Sequence, residues 1–590
     1  MTGRRAKIVC TIGPSSADRE TITDLADAGM SVARFNASHG DPATRQEAIE
    51  RVQAVDRALD RPIATMLDLP GPEIRTAEAE DPITLAAGDT VTFVEGTKTT
   101  AERIGLSRAI GAAEPGDRVL LDDGRLETVV EEVADDAVRA TVESGGPLEG
   151  RAGVNVPGVD LGLPMVTEAD ERELDVAADT SVDFVAASFV RTGEDVYAVS
   201  AALEDRDADI PVVAKIERAD AVTNLDDIIE AASAVMVARG DLGVECPLED
   251  VPIIQKRTIR RCHRAGVPVI TATEMLDSMV HARRPTRAEA SDVANAVLDG
   301  TDALMLSGET AIGDHPVRVV ETMARIVADV EDSEEYDEAL EQRVPPAGDT
   351  RTDALARSAR YLARDIGASA VVAASESGYT AKKAAKYRPS IPIVAATPDD
   401  RVRRQLALSW GITPVTAGYE DASADAVIQR AVQSALETDA AESGDTVVVL
   451  AGMMTRFEGL DTTNTLKVHV ASETLAAGRS VVAGHVSGPL VHVDDGDLSD
   501  APDGAILAVP ADFDGQFSGD LSTVAGIVDA HGGMTGYAAI VARELDVPMI
   551  CGAAVPDDVE NGTEVSLDAE RGVLYADPLH VEDDRRGDVA

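Results

Sequence analysis

Eight short apolar runs constrain the fold of this chain more than any other feature. The runs are rich in β-branched residues, and segments with helix signals separate them. Strands that alternate with helices build parallel βαβ units, so eight such units predict an α/β fold centred on a (β/α)8 barrel. The predicted strands are 6–11, 31–36, 63–68, 182–188, 211–216, 234–238, 267–273 and 303–307.

Capping residues between the runs predict where helices begin and end. Ser15 or Ser16 is the expected N-cap of the first helix, because a hydroxyl can accept a hydrogen bond from a free first-turn amide. Gly29 is the expected end of the same helix, and Gly266 and Gly300 are expected to end two later ones.

Three other segments differ from the barrel pattern, which is assigned to 1–75 and 160–335. The connection 76–159 is too long for a structureless loop, and its alternating apolar residues predict a small inserted β-barrel that forms a lid. Residues 350–475 indicate a doubly wound α/β C-domain. Residues 478–577, with a glycine-rich turn, predict an extra α/β domain.

The charge balance excludes some functions. The chain has 106 acidic and 53 basic residues, a net charge of −53, and only eight lysines. Such an excess repels nucleic acid and destabilises the compact state unless ions screen it, which predicts a halophilic, cytoplasmic enzyme over an ordinary acidic one. No apolar run is long enough to cross a membrane, and the four cysteines are too widely spaced for a zinc site.

Polar residues at the strand ends predict the active site, because (β/α)8 enzymes place it there. Lys215 ends an apolar run, and a fixed cation stabilises a migrating phosphoryl group. Glu217 and Asp241 can share one Mg²⁺ or Mn²⁺ ion, and the Gly240 and Asp241 amides suit a carboxylate. The structural alternatives are a Lys–Glu ion pair that seals the barrel and a plain strand-to-helix turn.

A second polar group follows the second predicted strand. Arg34 supplies a cation suited to phosphate, while Asn36, Ser38 and the Asp68 carboxylate offer oxygens. One carboxylate among neutral oxygens suits a monovalent cation better than a divalent one. A polar N-cap network around Ser38 and Asp41 is the alternative.

These residues belong to motifs that resemble the pyruvate kinase family. The resemblance runs from residue 1 to about 475, and motifs of this length and order are specific. The motifs are AKIVCTIGPSS at 6–16, GMSVARFNASHG at 29–40, DLPGPEIR at 68–75, VAKIE at 213–217, VARGDLGVE at 237–245 and TATEMLDSMVHARRPTRAEASDVANAVLDGTDALMLSGETAIG at 271–313.

The resemblance implies an enzyme that transfers the phosphoryl group of phosphoenolpyruvate to ADP, the last step of glycolysis, usually as a homotetramer. Lys215 is then the transition-state stabiliser, Thr273 lies beside the carbon that is protonated, and Glu217 and Asp241 bind Mg²⁺. The implied substrate contacts are Arg34, Lys215, Gly240, Asp241 and Thr273.

The resemblance also implies a K⁺ site and a nucleotide site. The implied nucleotide contacts are Asn36, His39 and Arg75. Two departures from the family pattern stand out: Leu69-Pro70 replaces a usual Thr-Lys, and Ala152 stands where relatives often have lysine, with Arg151 beside it. The implied K⁺ ligands are Asn36, Ser38, Asp68 and the Leu69 carbonyl, with Glu73 of the kind found in K⁺-using members.

The C-domain contains a segment that matches the family's effector loop and indicates allosteric regulation. Hydroxyls and amides at a helix N-terminus form a phosphate nest. Lys382, Lys383 and Lys386 follow closely, which favours an anion site over a bare turn. The predicted loop residues are Ser375, Ser377, Gly378 and Thr380.

The last segment contains GGMTGYAAIVAR at 532–543, which resembles the mobile phosphohistidine domain of phosphoenolpyruvate synthases and pyruvate phosphate dikinases. Tyr537 stands at the histidine position. A phenol with a pKa of ~10 is a poor nucleophile at neutral pH, which predicts a module without phosphotransfer. Repurposing of the nearby His531 is the alternative.

Two other functions fit part of the pattern. A phosphoenolpyruvate synthase or dikinase would share the substrate, but the 590 residues, already assigned to other domains, leave no room for the ATP-grasp domain that such an enzyme needs. A non-catalytic sensor would bind phosphoenolpyruvate and ADP without turnover. The complete set of Lys215, Glu217, Asp241 and Thr273 opposes the sensor.

Overall fold

All eight predicted strands close into one parallel barrel in the computed structural model of the chain. Neighbours in the barrel are neighbours in sequence, and the last strand pairs with the first, with Lys7 opposite Ala303. The prediction is confirmed, with ends that differ by one or two residues. The strands are Lys7–Thr11, Val32–Asn36, Ala64–Asp68, Phe184–Ala187, Val212–Ile216, Ala234–Ala238, Val269–Ala272 and Ala303–Leu306.

The structure describes residues 4–79, 83–134, 137–418, 424–452, 463–556 and 558–576. The predicted domain ends at residues 1 and 577 lie outside these ranges. By their contacts the residues divide into two units, which are Met1–Arg360 with Ser375–Gly418, and Tyr361–Ala374 with Tyr419–Ala590.

Helices follow the barrel strands, and their caps test the predicted boundaries. Gly266 and Gly300 end their helices with φ of 78° and 92°, as predicted. The N-cap prediction was wrong, because Asp18 caps the first helix and its carboxylate accepts from the Thr21 amide at 2.9 Å. The helices are Arg19–Ala28, Pro42–Asp56, Glu168–Thr180, Gly193–Glu204, Ala219–Thr223, Leu225–Ala231, Arg239–Glu245, Val251–Ala265, Arg287–Asp299, Gly308–Ala311, Pro316–Glu331 and Glu334–Arg343, with 3₁₀ turns Leu248–Asp250 and Asp277–Val280.

The predicted insertion is a seven-stranded sheet with a separate two-stranded ribbon. Its two edge strands meet through a bridge between Thr76 and Leu106, so the sheet curls back on itself. A buried apolar core that includes Phe93 fills its interior. The strands, in sheet order, are Ile74–Arg75, Gly153–Asn155, Arg118–Leu121, Leu126–Ala134, Ala137–Ser144, Thr90–Glu95 and Arg103–Leu106, and the ribbon is Gly146–Leu148 with Ile83–Leu85.

The segment assigned to the α/β C-domain contributes to both units, and helix Arg351–Asp365 opens it. In the first unit, strands Ile393–Thr397 and Ile412–Thr416 pair in parallel. Helices Tyr379–Lys386 and Asp400–Leu406 accompany them. In the second unit, Ala370–Ala374 is parallel to Thr446–Ala451, Thr465–Val470 is antiparallel to the latter, and helix Ala424–Glu437 lies in the same segment.

The C-terminal segment forms an eight-stranded sheet with one helix, Tyr537–Leu545. Its first strand pairs with its last, so the sheet starts at Thr474, ahead of the predicted boundary at 478. None of the helices in the described ranges has the length and apolar character needed to cross a bilayer. In sheet order the strands are Thr474–Ala477, Val573–Tyr575, Glu564–Asp568, His485–His492, Ala505–Val509, Val524–Asp529, Met549–Cys551 and Arg479–Val482, and a 3₁₀ turn spans Leu521–Thr523.

Candidate active site

Strand alternation decides which side chains reach the barrel mouth. Val213 packs in the barrel interior, and its neighbours Val212 and Ala214 pack outward against the helices. Because side chains alternate along a strand, Lys215 points inward, one layer above Val213. The same alternation on the neighbouring strands gives five more polar side chains that point into the barrel, which are Thr11, Arg34, Asn36, Asp68 and Ser188.

Lys215 is the centre of this layer. Its Nζ lies 2.7 Å from Glu217 Oε1 and 3.3 Å from Asp68 Oδ1, and it donates to Ser188 Oγ at 2.7 Å. Burial lowers the pKa of Lys215, but the charges of Asp68 and Glu217 outweigh it, so the net shift is upward. The ammonium therefore stays charged at neutral pH.

Arg34 is a second cation beside the first. Its Nε and Nη2 lie 2.7 and 2.5 Å from Asp68 Oδ2, and Nη1 donates to Thr11 Oγ1 at 2.9 Å. Burial raises the pKa of Asp68, yet Lys215 and Arg34 bring it below its usual range. One carboxylate thus holds two cations at a fixed separation, which suits a trianionic phosphate monoester.

Glu217 is a buried carboxylate held by the backbone. Its Oε2 accepts from the Phe189 amide at 2.6 Å, and Phe189 has a φ of 61°. Such a φ is strained for a large side chain, so the contact is maintained by its surroundings. Burial and the nearby Asp241 raise the pKa of Glu217 to about 7, against the opposing effect of Lys215.

Asp241 has neither a hydrogen bond nor an ion pair with any residue in the described ranges. Burial raises its pKa, and Asp123, Asp68 and Glu73 raise it further, although Lys215 opposes them. No group of three or more His, Cys, Asp or Glu side chains in those ranges could hold a metal. Two carboxylates with room for substrate oxygens fit Mg²⁺, which keeps several non-protein ligands.

The Gly240 amide and Thr273 meet directly. The amide donates to Thr273 Oγ1 at 2.8 Å, so the hydroxyl occupies the donor predicted for the substrate carboxylate. Thr273 has a φ of 67°, which is unusual for a β-branched residue. Arg239 holds it there, since its Nη2 donates to the Thr273 carbonyl at 2.6 Å and its Nη1 to Asp292 at 2.6 Å.

Arg239 was not predicted as a site residue, although its motif was quoted. The signal that would have found it is its place between the strand end and Asp241, the predicted metal ligand. Arg191 and Arg218 were also missed. They line a cavity of about 60 Å³ at the barrel mouth, together with Asp123 from the insertion.

The predicted K⁺ ligands are close in the fold but are partly engaged. Asn36 lies opposite Asp68 on the neighbouring strand, and its Oδ1 accepts from the Ser38 amide at 3.1 Å. The Leu69 side chain is buried and its amide donates to the Ala186 carbonyl. The N-cap alternative is confirmed for Asp41, which caps helix Pro42–Asp56 with its own carboxylate.

The predicted nucleotide contacts lie at the rim. His39 is exposed, and its carbonyl accepts from Arg45 at 2.7 Å. Arg75 pairs with Glu73 at 2.9 Å and donates to the Arg151 carbonyl at 3.0 Å. Burial raises the pKa of Glu73, against the effect of Arg75. The exposed Arg151 guanidinium lies 2.5 Å from Glu78.

The predicted effector loop begins a helix, as expected. The Thr380 amide donates to Ser375 Oγ at 3.2 Å and the Tyr379 amide to Ser377 Oγ at 3.4 Å. Gly378 has a φ of 76°, which a side chain would disfavour.

The three lysines that follow the loop differ in their contacts. Lys383 and Lys386 both contact Asp353, at 3.2 and 2.6 Å. That carboxylate therefore pairs with two of the three lysines assigned to the loop's anion site.

In the C-terminal segment, Tyr537 lies at the helix start and is partly exposed. Its hydroxyl accepts from the Phe517 amide at 3.2 Å, and the two ring centroids are 5.3 Å apart. His531 Nδ1 lies 2.9 Å from Asp529 Oδ1. The tyrosine therefore has a packing role at the position where a phosphorylated histidine would stand.

Three family models match the chain. The one described as pyruvate kinase, barrel domain, covers residues 3–320. The pyruvate kinase alpha/beta domain covers 353–469, and the mobile domain of PEP-utilising enzymes covers 501–572.

Named relatives agree over nearly the whole length. The pyruvate kinases of Sporosarcina psychrophila and Geobacillus stearothermophilus are both 40% identical; each match covers 97% of this chain, and 99% and 98% of the relative. A crystal structure of a pyruvate kinase from Cryptosporidium parvum superposes with a TM-score of 0.74 at 36% identity, and the match covers 79% of this chain and 96% of that one.

These matches decide against the dikinase and sensor alternatives. They carry the activity, which is phosphoryl transfer from phosphoenolpyruvate to ADP to give pyruvate and ATP. The barrel, its polar layer and the matches together place the chain in the pyruvate kinase family.

Proposed function

We propose that Lys215 stabilises the phosphoryl group as it passes from phosphoenolpyruvate to ADP. The observation that carries this role is the position of its ammonium, 2.7 Å from Glu217 and inside a nearly water-free barrel end. The present hydrogen bond to Ser188 can be exchanged for phosphoryl oxygens. A preorganised cation in such surroundings stabilises developing charge without reorganisation.

Glu217 and Asp241 would hold Mg²⁺, which when bound neutralises phosphate oxygens and lets the anions approach. Arg34 binds the substrate phosphate, since its guanidinium is already fixed by Asp68. The Gly240 and Asp241 amides bind the substrate carboxylate once Thr273 Oγ1 releases the Gly240 amide.

Thr273 would lie beside the carbon that receives a proton, with its hydroxyl now held by the Gly240 amide. Asn36, Ser38, Asp68 and the Leu69 carbonyl would supply oxygens for K⁺, with Glu73 nearby. His39 and Arg75, at the rim, would contact ADP.

Apparent Mg²⁺ affinity should rise as pH increases through about 7, because Glu217 must ionise to serve as a ligand. The contribution of Glu217 to folding stability changes with pH in the opposite direction. The folded pKa is raised from 4.5, so the contribution of Glu217 to stability is complete below 4.5 and is lost as pH rises through about 7. Calorimetric Mg²⁺ titrations at several pH values test this.

The matched control for this pH effect is Glu217→Gln. The variant should bind Mg²⁺ weakly at every pH, without the step near neutrality. A wild-type affinity that stays constant between pH 6 and 8 would contradict the assignment of Glu217.

The C-terminal module is assigned to regulation or assembly without phosphotransfer, because Tyr537 packs on Phe517. Truncation after Ser472, ahead of the strand that begins at Thr474, should leave an active enzyme. The coupled assay with lactate dehydrogenase checks this, and complete inactivity of a folded product would contradict it. We assign the effector loop at 375–380 to the binding of phosphorylated effectors. We also expect the enzyme to be a homotetramer, and light scattering would measure its mass in solution.

We assign the enzyme to a salt-rich cytoplasm. A net charge of −53 repels itself in dilute buffer, and at ~1 M salt the screening length falls to about 3 Å. Thermal unfolding should therefore shift to higher temperature in molar KCl than in dilute buffer. Equal transition temperatures in both would refute the adaptation.

A further inference from the structure

A small cavity of about 10 Å³ lies at the opposite end of the barrel from the active site. Pro268 and Asp302, which precede the seventh and eighth strands, line one side. His263 lines it from helix Val251–Ala265, and Lys382 from helix Tyr379–Lys386. All of these residues belong to the first unit, and of the four only Lys382 was assigned to a site above, as one of the lysines that follow the effector loop.

Two deeply buried side chains that line this cavity have polar atoms without hydrogen-bond partners within the described ranges. Arg388 is 2% exposed, and its Nη2 contacts Asp302 at 3.0 Å, but its Nε and Nη1 have no partner. Ser409 is also 2% exposed, and its Oγ has no partner. Buried donors are rarely left unsatisfied, so these three groups indicate a missing acceptor.

The charge around the cavity is positive. Lys386 is neutralised by Asp353 and Arg388 by Asp302. Lys382 has no carboxylate within reach in the described ranges, and burial lowers its pKa.

The pKa of His263 agrees with positive charge near the cavity. Burial, with the nearby charges of Arg388 and Lys386, lowers its pKa to about 3. The ring is therefore uncharged, and its Nε2 donates to the Lys386 carbonyl at 2.6 Å. A neutral His263 adds no charge to the cavity, and Arg388 and Lys386 lie near enough to contribute to its lowered pKa.

We propose that this cavity binds a single halide ion, chloride under physiological conditions. The volume suits one water-sized ligand, which admits a monatomic anion and excludes a phosphate group. Lys382 supplies the charge, and Arg388 and Ser409 supply the unsatisfied donors. The anion satisfies them and joins the barrel helix that carries His263 to the C-domain helix that carries Lys382.

Thermal unfolding in chloride and glutamate salts tests the proposal. At equal K⁺ concentration, the two salts screen charge equally, so a saturable extra rise in KCl reports anion binding. Lys382→Met should weaken the apparent chloride affinity by about tenfold or more, because a charged donor is lost. Lys98→Met removes the same charge from an exposed position in the insertion and should leave the chloride response unchanged.

Crystals soaked in KBr locate the ion directly. Anomalous scattering should place one bromide peak between Arg388 and Ser409, and Ser409→Ala should reduce its occupancy. An empty cavity in the wild type overturns the proposal, as does a chloride response that survives Lys382→Met. A density peak that appears after a soak in phosphate but not after a soak in bromide also overturns the proposal, because the site would then select a larger anion.

Discussion

Lys215→Met should lower kcat by ~10³-fold or more, since it removes the cation that meets the phosphoryl group. Methionine keeps much of the side-chain length but cannot donate to Ser188 or neutralise Glu217. Phosphoenolpyruvate should still bind through Arg34, so its KM should change far less than kcat. The lactate dehydrogenase-coupled assay measures both.

The same substitution should also cost stability. It leaves Asp68 with Arg34 and Ser188 and Glu217 with the Phe189 amide, and breaking a buried pair costs about 3–5 kcal/mol. Thermal unfolding separates this loss from the catalytic one. Lys98→Met is the matched control and should retain both activity and stability. A folded Lys215→Met enzyme with a kcat within tenfold of wild type would refute the role of Lys215.

Asp241→Asn should lower kcat/KM at limiting Mg²⁺ by ~10²-fold or more, beyond the ~10–100-fold loss typical of outer-sphere partners. The protein loses no hydrogen bond, since Asp241 makes none in the described ranges. Its pKa is raised, which means that the folded state disfavours its charge at neutral pH. The variant should therefore unfold at the same or a higher temperature.

A substitution that lowers activity but maintains or raises the unfolding temperature identifies a carboxylate that serves function and not stability. Asp205→Asn, on the exposed end of a barrel helix, is the control and should change neither quantity. If Asp241→Asn unfolds at a clearly lower temperature and keeps its Mg²⁺ dependence, Asp241 is structural and the proposed metal site is wrong.

The barrel could be predicted because each strand is a short apolar run between helix signals. Alternation then placed Lys215 and Asp68 at the mouth, since a period of two is fixed by the backbone. The first helix start was missed because Ser15, Ser16 and Asp18 are all good caps, and only the fold shows which one meets a free amide. The sheet that starts at Thr474 was missed because its partner, Val573–Tyr575, is about a hundred residues away.

The fine geometry of the site was beyond the sequence. The left-handed backbone of Phe189 and Thr273 has no local signal, because neither residue favours it. The role of Arg239 depends on a carbonyl from the next strand's loop. The helical period puts Lys382 and Lys386 on one face, so it does not predict that Lys383 and Lys386 contact Asp353, which is thirty residues upstream of Lys383.

Two carboxylates keep the Lys215 ammonium protonated, and this protects the enzyme from its own product. Pyruvate is a ketone, and a neutral amine beside it would condense to an imine with loss of water. Lysines that form such Schiff bases are desolvated without counter-charges, which frees the nitrogen lone pair. Here the lone pair is occupied by a proton, so in the proposed site the Lys215 amine would remain chemically inert toward the α-keto acid.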